Sequence, residues 1–471
     1  MRITLGLDST SLTRRYPRLA ILATLLMAFA LPAALYIAAL AVFPLNTPER
    51  INATVDASVA WLGGRFGAHW QVQLADSPYR YLVYTVFLLL VAGIAVTYAA
   101  VFGGASTWVE RRVAGRMQSR IGPNRPGAAG FLAWVADAVK MVLKEDTIPA
   151  SADNLLFRAA PYFSMVGLLL PFVVLPFGEA TVVTDMNVGV FYVAATSAFV
   201  VVGILVSGWA SNSKWALFGG IRGAAQVLSY EIPAGIAMMV PVLMAGTLSM
   251  QGIVRAQGGA PWNWFVCRNP AAFVAFFIAV TASLAEGNRT PFDLPEAESE
   301  LVAGYHAEYS GFRLAIFLMV EWANMWIMAG LAVTLFLGGW QVPGYGAADY
   351  ARLLGTGLVP QVGWFALQIA SMLIFIIKTW ILVFVFIWLR WTLPRVRVDQ
   401  LMSLCWKYLV PGAFLCFIVT LLWQMLVPPV GMRYTGYAFT GLSLFLLGKF
   451  LFDTRRNIDK VKGDRVDLSN W

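Results

Sequence analysis

Runs of 17 or more mostly apolar residues recur along this sequence from Leu19 to Phe452, each long enough to cross a bilayer as a helix. In a hydrocarbon layer such a segment satisfies its own backbone hydrogen bonds only by coiling, so the pattern predicts an all-α polytopic membrane protein. About ten transmembrane helices are expected, at 19–43, 81–104, 161–178, 189–209, 230–249, 271–286, 312–338, 362–389, 409–427 and 436–452. The first run is too long, and too far from a small-residue cleavage pattern, to be a removed signal peptide.

Basic residues orient these spans. With the N-terminus on the cytoplasmic side, 26 of the 34 Lys and Arg fall on that side, 7 fall on the other, and Lys378 lies within a span. The bias predicts that both termini are cytoplasmic. The net charge of +9 is then an orientation signal in an anionic leaflet, and nucleic acid is not expected as a partner.

The second span leads into WVERRVAGRMQSRIGPNRPGAAGFLAWVADAVKMVLKEDTIP, Trp108 to Pro149. Its Gly-Pro-Asn-Arg-Pro-Gly break cannot continue a helix. Beyond the break, Phe131, Val135, Ala138, Val139 and Val142 recur at helical spacing, with Asp137, Lys140 and Lys144 on another face. The spacing predicts an amphipathic helix of about four turns, too short and charged to span, lying at the cytoplasmic interface. Glu110, beside Arg111 and Arg112 at the end of a span, reads either as an ion-pair partner or as a functional acid.

One stretch departs from the oily background. LAEGNRTPFDLPEAESELVAGYHAEYSGFRLAIFLMVEW, Leu284 to Trp322, holds Glu286, Asp293, Glu296, Glu298, Glu300, Glu308 and Glu321 in a chain that is only 13% charged. Asp293 followed by Glu296 fits a helix N-cap with a capping-box acid. Glu296 and Glu300 would then share a helix face, where like charges repel. Two readings stand open: a solvated acidic loop, or a buried set whose carboxyls retain protons and pass them on. Glu231, in SYEIP, stands just inside the start of a span, where a helix N-terminus favours a carboxylate. Lys378 either faces the bundle interior or snorkels.

The three cysteines, Cys267, Cys405 and Cys416, form no C-x-x-C pair, and the topology separates the first from the second. His69 and His306 also fall on opposite sides. No metal site, iron-sulfur cluster or structural zinc held by this chain is expected, and there is no dinucleotide or P-loop motif. A secondary transporter would also carry acids among spans, but it would show two similar halves, and no convincing internal repeat is present. A membrane scaffold would give no reason for acids at span edges.

ERRVAGRMQSRIGPNRPG with ADAVKMVLKED, then AQVLSYEIP, then LAEGNRTPFDLPEAESELVAGYHAEYSG, then RWTLPRVRVDQLM resemble, in order and spacing, the H subunit family of proton-pumping NADH:quinone oxidoreductase, respiratory complex I. Related hydrogenase membrane subunits should lack the acidic string. The resemblance covers roughly residues 82–427 and implies an eight-span core at 81–427. Residues 1–80 then add one helix and an outer segment, and 428–471 add another helix and a basic tail. It also implies a subunit of the bacterial inner membrane that lies where the hydrophilic quinone module meets the membrane-arm subunits. Such a subunit forms much of the quinone access tunnel and couples quinone reduction to proton translocation. NAD, FMN and iron-sulfur clusters are expected in partner subunits, with quinone as substrate and no redox cofactor on this chain. By the same resemblance, Glu231, Glu286 and Glu321 join the acidic string as the proton-coupling path, and Arg111, Arg116 and Asp137 border the quinone.

Overall fold

Helix is the regular structure of the computed structural model, which describes residues 79–462 apart from 180, 183 and 344–357; no strand occurs among the described residues. The helix expected at 19–43 lies outside them. The long helices are α1 (Tyr79–Met117), α2 (Ala133–Leu143), α3 (Asn154–Leu169), α4 (Gly189–Ala210) and α5 (Lys214–Ala245). They continue with α6 (Pro270–Glu286), α7 (Gly311–Phe336), α8 (Leu358–Thr392), α9 (Val410–Leu426) and α10 (Pro429–Lys462). Six stretches among the described residues are long and apolar enough to cross a membrane, and α6 is a shorter apolar helix.

Several helices extend past the apolar runs, because a helix is not obliged to stop where the membrane does. α1 continues through Glu110 and Arg111 to Met117. α5 begins at Lys214, so Glu231 stands in its middle and the helix N-terminus expected beside it is absent. α2 has 11 residues, about three turns where four were expected, and Phe131 lies buried ahead of it. Leu132, Val139, Val142 and Leu143 leave an exposed apolar face there, as an interfacial helix requires.

Interior prolines leave a backbone carbonyl four residues earlier without its helical donor. Two of these carbonyls find side-chain donors from distant segments. Pro161 frees the Phe157 carbonyl, to which the Tyr309 hydroxyl donates at 3.2 Å. Pro233 frees the Ser229 carbonyl, which accepts from Cys405 Sγ at 3.1 Å. The first bond ties the acidic stretch to α3, and the second ties the segment after α8 to α5.

Close backbone approach does the same at Gly304, whose φ of +58° suits glycine and where a Cβ would stand 1.6 Å from the Pro295 carbonyl oxygen. On α5, a Cβ at Gly219 would meet Gly304 Cα at 2.6 Å. Small residues here press the acidic loop directly onto α5. Lys378, in the middle of α8, donates from Nζ to the carbonyls of Leu337 (2.8 Å) and Gly339 (3.0 Å). It also lies 4.3 Å from the Trp264 ring centroid. The half-buried amine therefore satisfies carbonyls just past the end of α7, a structural use of this side chain.

Candidate functional site

α6 ends at Glu286, and residues 287–297 then run as turns and irregular backbone, mostly buried. Buried irregular chain needs partners for its polar groups. Gln226, on α5, supplies them: its Nε2 donates to the carbonyls of Ala285 (2.7 Å) and Phe292 (2.6 Å). The Val396 amide donates to the Pro291 carbonyl at 3.1 Å, which brings the segment after α8 onto the same loop.

This arrangement corrects the capping expectation. The single helical turn here is Glu298–Leu301, and Ala297 is at its N-cap. Asp293 caps nothing; it is buried and accepts from Arg395 at 2.8 Å. Glu296 precedes the turn, so it does not share a helix face with Glu300. The two acids go to different places.

Three basic residues organise one side of the loop. Glu110, buried on α1, lies between Arg390 at 2.5 Å and Arg289 at 3.9 Å. The Arg289 guanidinium is itself buried and stacks over Trp322, 3.9 Å from the ring centroid. Each cation thus has a carboxylate or an aromatic face, which burial of charge demands.

Behind this layer lie the other acids. Glu321, buried on α7, accepts from the Tyr305 hydroxyl at 2.9 Å. The Glu296 and Glu321 carboxyls adjoin, with one oxygen of each within 4.8 Å of the other, and Glu296 Oε1 is 4.0 Å from His306 Nδ1. Two carboxylates in such contact do not both ionise. Burial, and then the Glu321 charge, push the Glu296 carboxyl well above the usual carboxylate range. Burial also raises Asp293, with Arg395 opposing the shift.

Glu286 completes the inner group. It is buried at the end of α6, and the charge of Glu231 on α5 acts on it. Ser197, on α4, donates to Glu231 at 2.9 Å. Between Glu286 and Glu321 lies a small cavity, lined also by Ser164, Asn288, Tyr305 and Asn324. Its free space, about 10 Å³ for a water-sized body, is of the order that one water needs. Glu286 and Glu321 thus face one small cavity, Glu296 adjoins Glu321, and the charge of Glu231 reaches Glu286, which brings together acids from four segments of the fold.

The remaining expected residues stand apart from that chain. Glu300 is exposed and pairs with Arg222 at 2.8 Å. Glu308 is half-buried and joins none of these pairs, and the side chain of Glu298 lies outside the described residues. Arg111 and Asp137 meet at 2.5 Å, and Lys140 donates to Asp137 at 3.0 Å. Burial alone would raise Asp137, but the bonds from Lys140 and Arg111 outweigh it and hold the carboxyl below its ordinary value. Arg116 is exposed and lies outside this pair. Sequence reasoning assigned no role to Arg289, Arg390, Arg395, Tyr305 or Gln226. All five lie in the quoted motifs, but their partners are far away in the chain.

Long apolar helices enclosing a paired, carboxylate-rich group at one end of the bundle define a multi-pass helical membrane protein with a buried ionisable site. A family model described as NADH dehydrogenase matches residues 87–421. The H subunit of the NADH-quinone oxidoreductase of Anaeromyxobacter dehalogenans is 60% identical over 83% of this chain and 95% of its own length. That of Chlorobium luteolum is 46% identical over 72% and 90%, and that of a Geobacillus species 43% over 75% and 98%. The chain belongs to the family of NADH-quinone oxidoreductase H subunits, and so is one membrane component of a multi-subunit enzyme complex.

Proposed function

We propose that this subunit admits quinone to the complex and couples its reduction to proton translocation through the chain of acids Glu231, Glu286, Glu321 and Glu296. The observation that carries the proposal is the contact between Glu296 and Glu321, next to the cavity that reaches Glu286. Reduction of a quinone places negative charge on its headgroup and draws protons to it. A carboxyl pair sharing one proton is suited to respond, because a nearby change of charge shifts which member holds it. Asp293 and Glu110, each held by arginine, fix the loop that carries Glu296.

The quinone approaches past α2, whose apolar face offers a greasy border and whose Asp137–Arg111 pair offers polar contacts, with Arg116 nearby on α1. In the proposed orientation both termini are cytoplasmic, and the complex lies in the bacterial inner membrane. The hydrophilic quinone module, which carries NADH chemistry, flavin and clusters, docks over the acidic loop. Membrane-arm subunits continue the proton path. Glu300, exposed on its pair with Arg222, takes no part in the relay.

Glu286→Gln in assembled complex tests this reading. The substitution keeps size and most hydrogen bonding while removing a titrating proton. Quinone reduction is expected to fall by roughly tenfold or more, while NADH oxidation by a soluble artificial acceptor, which draws electrons before the quinone, stays unchanged. Unchanged quinone reduction would refute it.

A further inference from the structure

The relay uses Glu296 and Glu321 but gives no role to His306, whose imidazole stands beside them. One ligand atom from each of Glu296, His306 and Glu321 lies within 4.8 Å of the other two. Oε1 of Glu296 is buried and accepts no hydrogen bond. The Tyr305 hydroxyl donates to Glu321 Oε1, an outer contact of the kind that orients a coordinating carboxylate.

We propose that Glu296, His306 and Glu321 form an exchangeable Zn²⁺ site, with water as the fourth ligand, and that the bound ion blocks the relay. Imidazole with carboxylates suits Zn²⁺, whereas Mg²⁺ and Ca²⁺ favour all-oxygen sets. Bonds of about 2.0–2.1 Å at tetrahedral angles space the ligand atoms about 3.3 Å apart, so the group must close by up to about 1.5 Å through side-chain rotation. The His306 and Glu296 side chains are 14% and 19% exposed, which gives the ion a way in. Arg289, whose charge reaches both carboxyls, opposes a cation here, and the two carboxylates with the imidazole must outweigh it. An ion held by Glu296 and Glu321 occupies two members of the proposed relay. Only the inhibitory half of this inference rests on the relay; the binding half does not.

The test uses the intact complex, washed with chelator, as wild type and as His306→Gln. Zn²⁺ retained after addition of one equivalent is counted by mass spectrometry, and X-ray absorption at the zinc edge reads its ligands. Quinone reduction is titrated with Zn²⁺, each form against its own metal-free rate. The wild type is expected to retain one more Zn²⁺ per complex than the variant, with nitrogen and oxygen ligands, and to be half-inhibited at a concentration lower by roughly tenfold or more. Equal retention and equal sensitivity would overturn the site. So would a sulfur-rich ligand shell in the wild type, a reading that does not require the variant to assemble. A difference in retention without one in sensitivity would uphold the site and overturn its inhibitory role.

Discussion

Arg390 donates to Glu110 at 2.5 Å, joining residues 280 positions apart in the chain. The carboxylate is buried, and its other cation, Arg289, is 3.9 Å away. Removing one partner of a buried pair leaves an uncompensated charge at a cost of about 3 kcal/mol. Arg390→Ala is therefore expected to lower the thermal unfolding midpoint of the complex, and Arg390→Ala with Glu110→Gln to recover part of the loss. An unchanged midpoint in the single variant would show that the pair does not hold the loop.

Glu300 and Glu321 belong to one acidic string but to different environments. Glu300→Gln breaks an exposed pair worth about 0.5 kcal/mol, so quinone reduction should stay within about twofold of wild type, the rate effect of an energy change of that size. Glu321→Gln removes a buried member of the proposed relay and should be far more damaging. Parallel steady-state assays of the two variants read this contrast, and equal losses would contradict it.

The raised Glu296 carboxyl fixes the sign of a pH effect. In the folded chain it retains its proton above the ordinary carboxylate range, where the unfolded chain has lost it. The stability it contributes is present at low pH and falls as pH rises through the folded value. Glu296→Gln lacks that loss, so its unfolding midpoint should gain on wild type as pH rises above the ordinary carboxylate range. A gap that shrinks over that rise would contradict the burial of Glu296 beside Glu321.

Lys378 gives a prediction of the opposite kind. Its two bonds to the carbonyls that end α7 are structural. Lys378→Met should lower stability by about 1.5–3 kcal/mol, the range for a hydrogen bond to a charged group, and leave the protons moved per quinone reduced unchanged. A changed ratio in assembled complex would make Lys378 part of the path.

The apolar runs made the helical class and the central spans legible because hydrocarbon imposes length and composition directly. Their ends were not legible. The span expected at 230–249 begins sixteen residues earlier, at Lys214 on α5, which moved Glu231 from a helix start to a helix middle. Asp293 carried a capping pattern, but Arg395, 102 positions away, claims its carboxylate, and the helical turn that follows is capped at Ala297 instead. Local patterns state what a residue is able to do with its neighbours. They are silent where a distant partner offers a stronger bond. For the same reason Glu296 and Glu300 were indistinguishable in sequence, although one packs against Glu321 and the other against a surface arginine.

The proposed proton path is tested most directly by Glu231→Gln in complex reconstituted into vesicles, with quinone reduction and the pH gradient recorded together. Glu231 lies far in sequence from the acidic string, and its charge acts on Glu286. The account expects both signals to fall together by roughly tenfold or more, with electron transfer to a soluble artificial acceptor unchanged. Wild-type quinone reduction and a wild-type pH gradient in the same vesicles would contradict it.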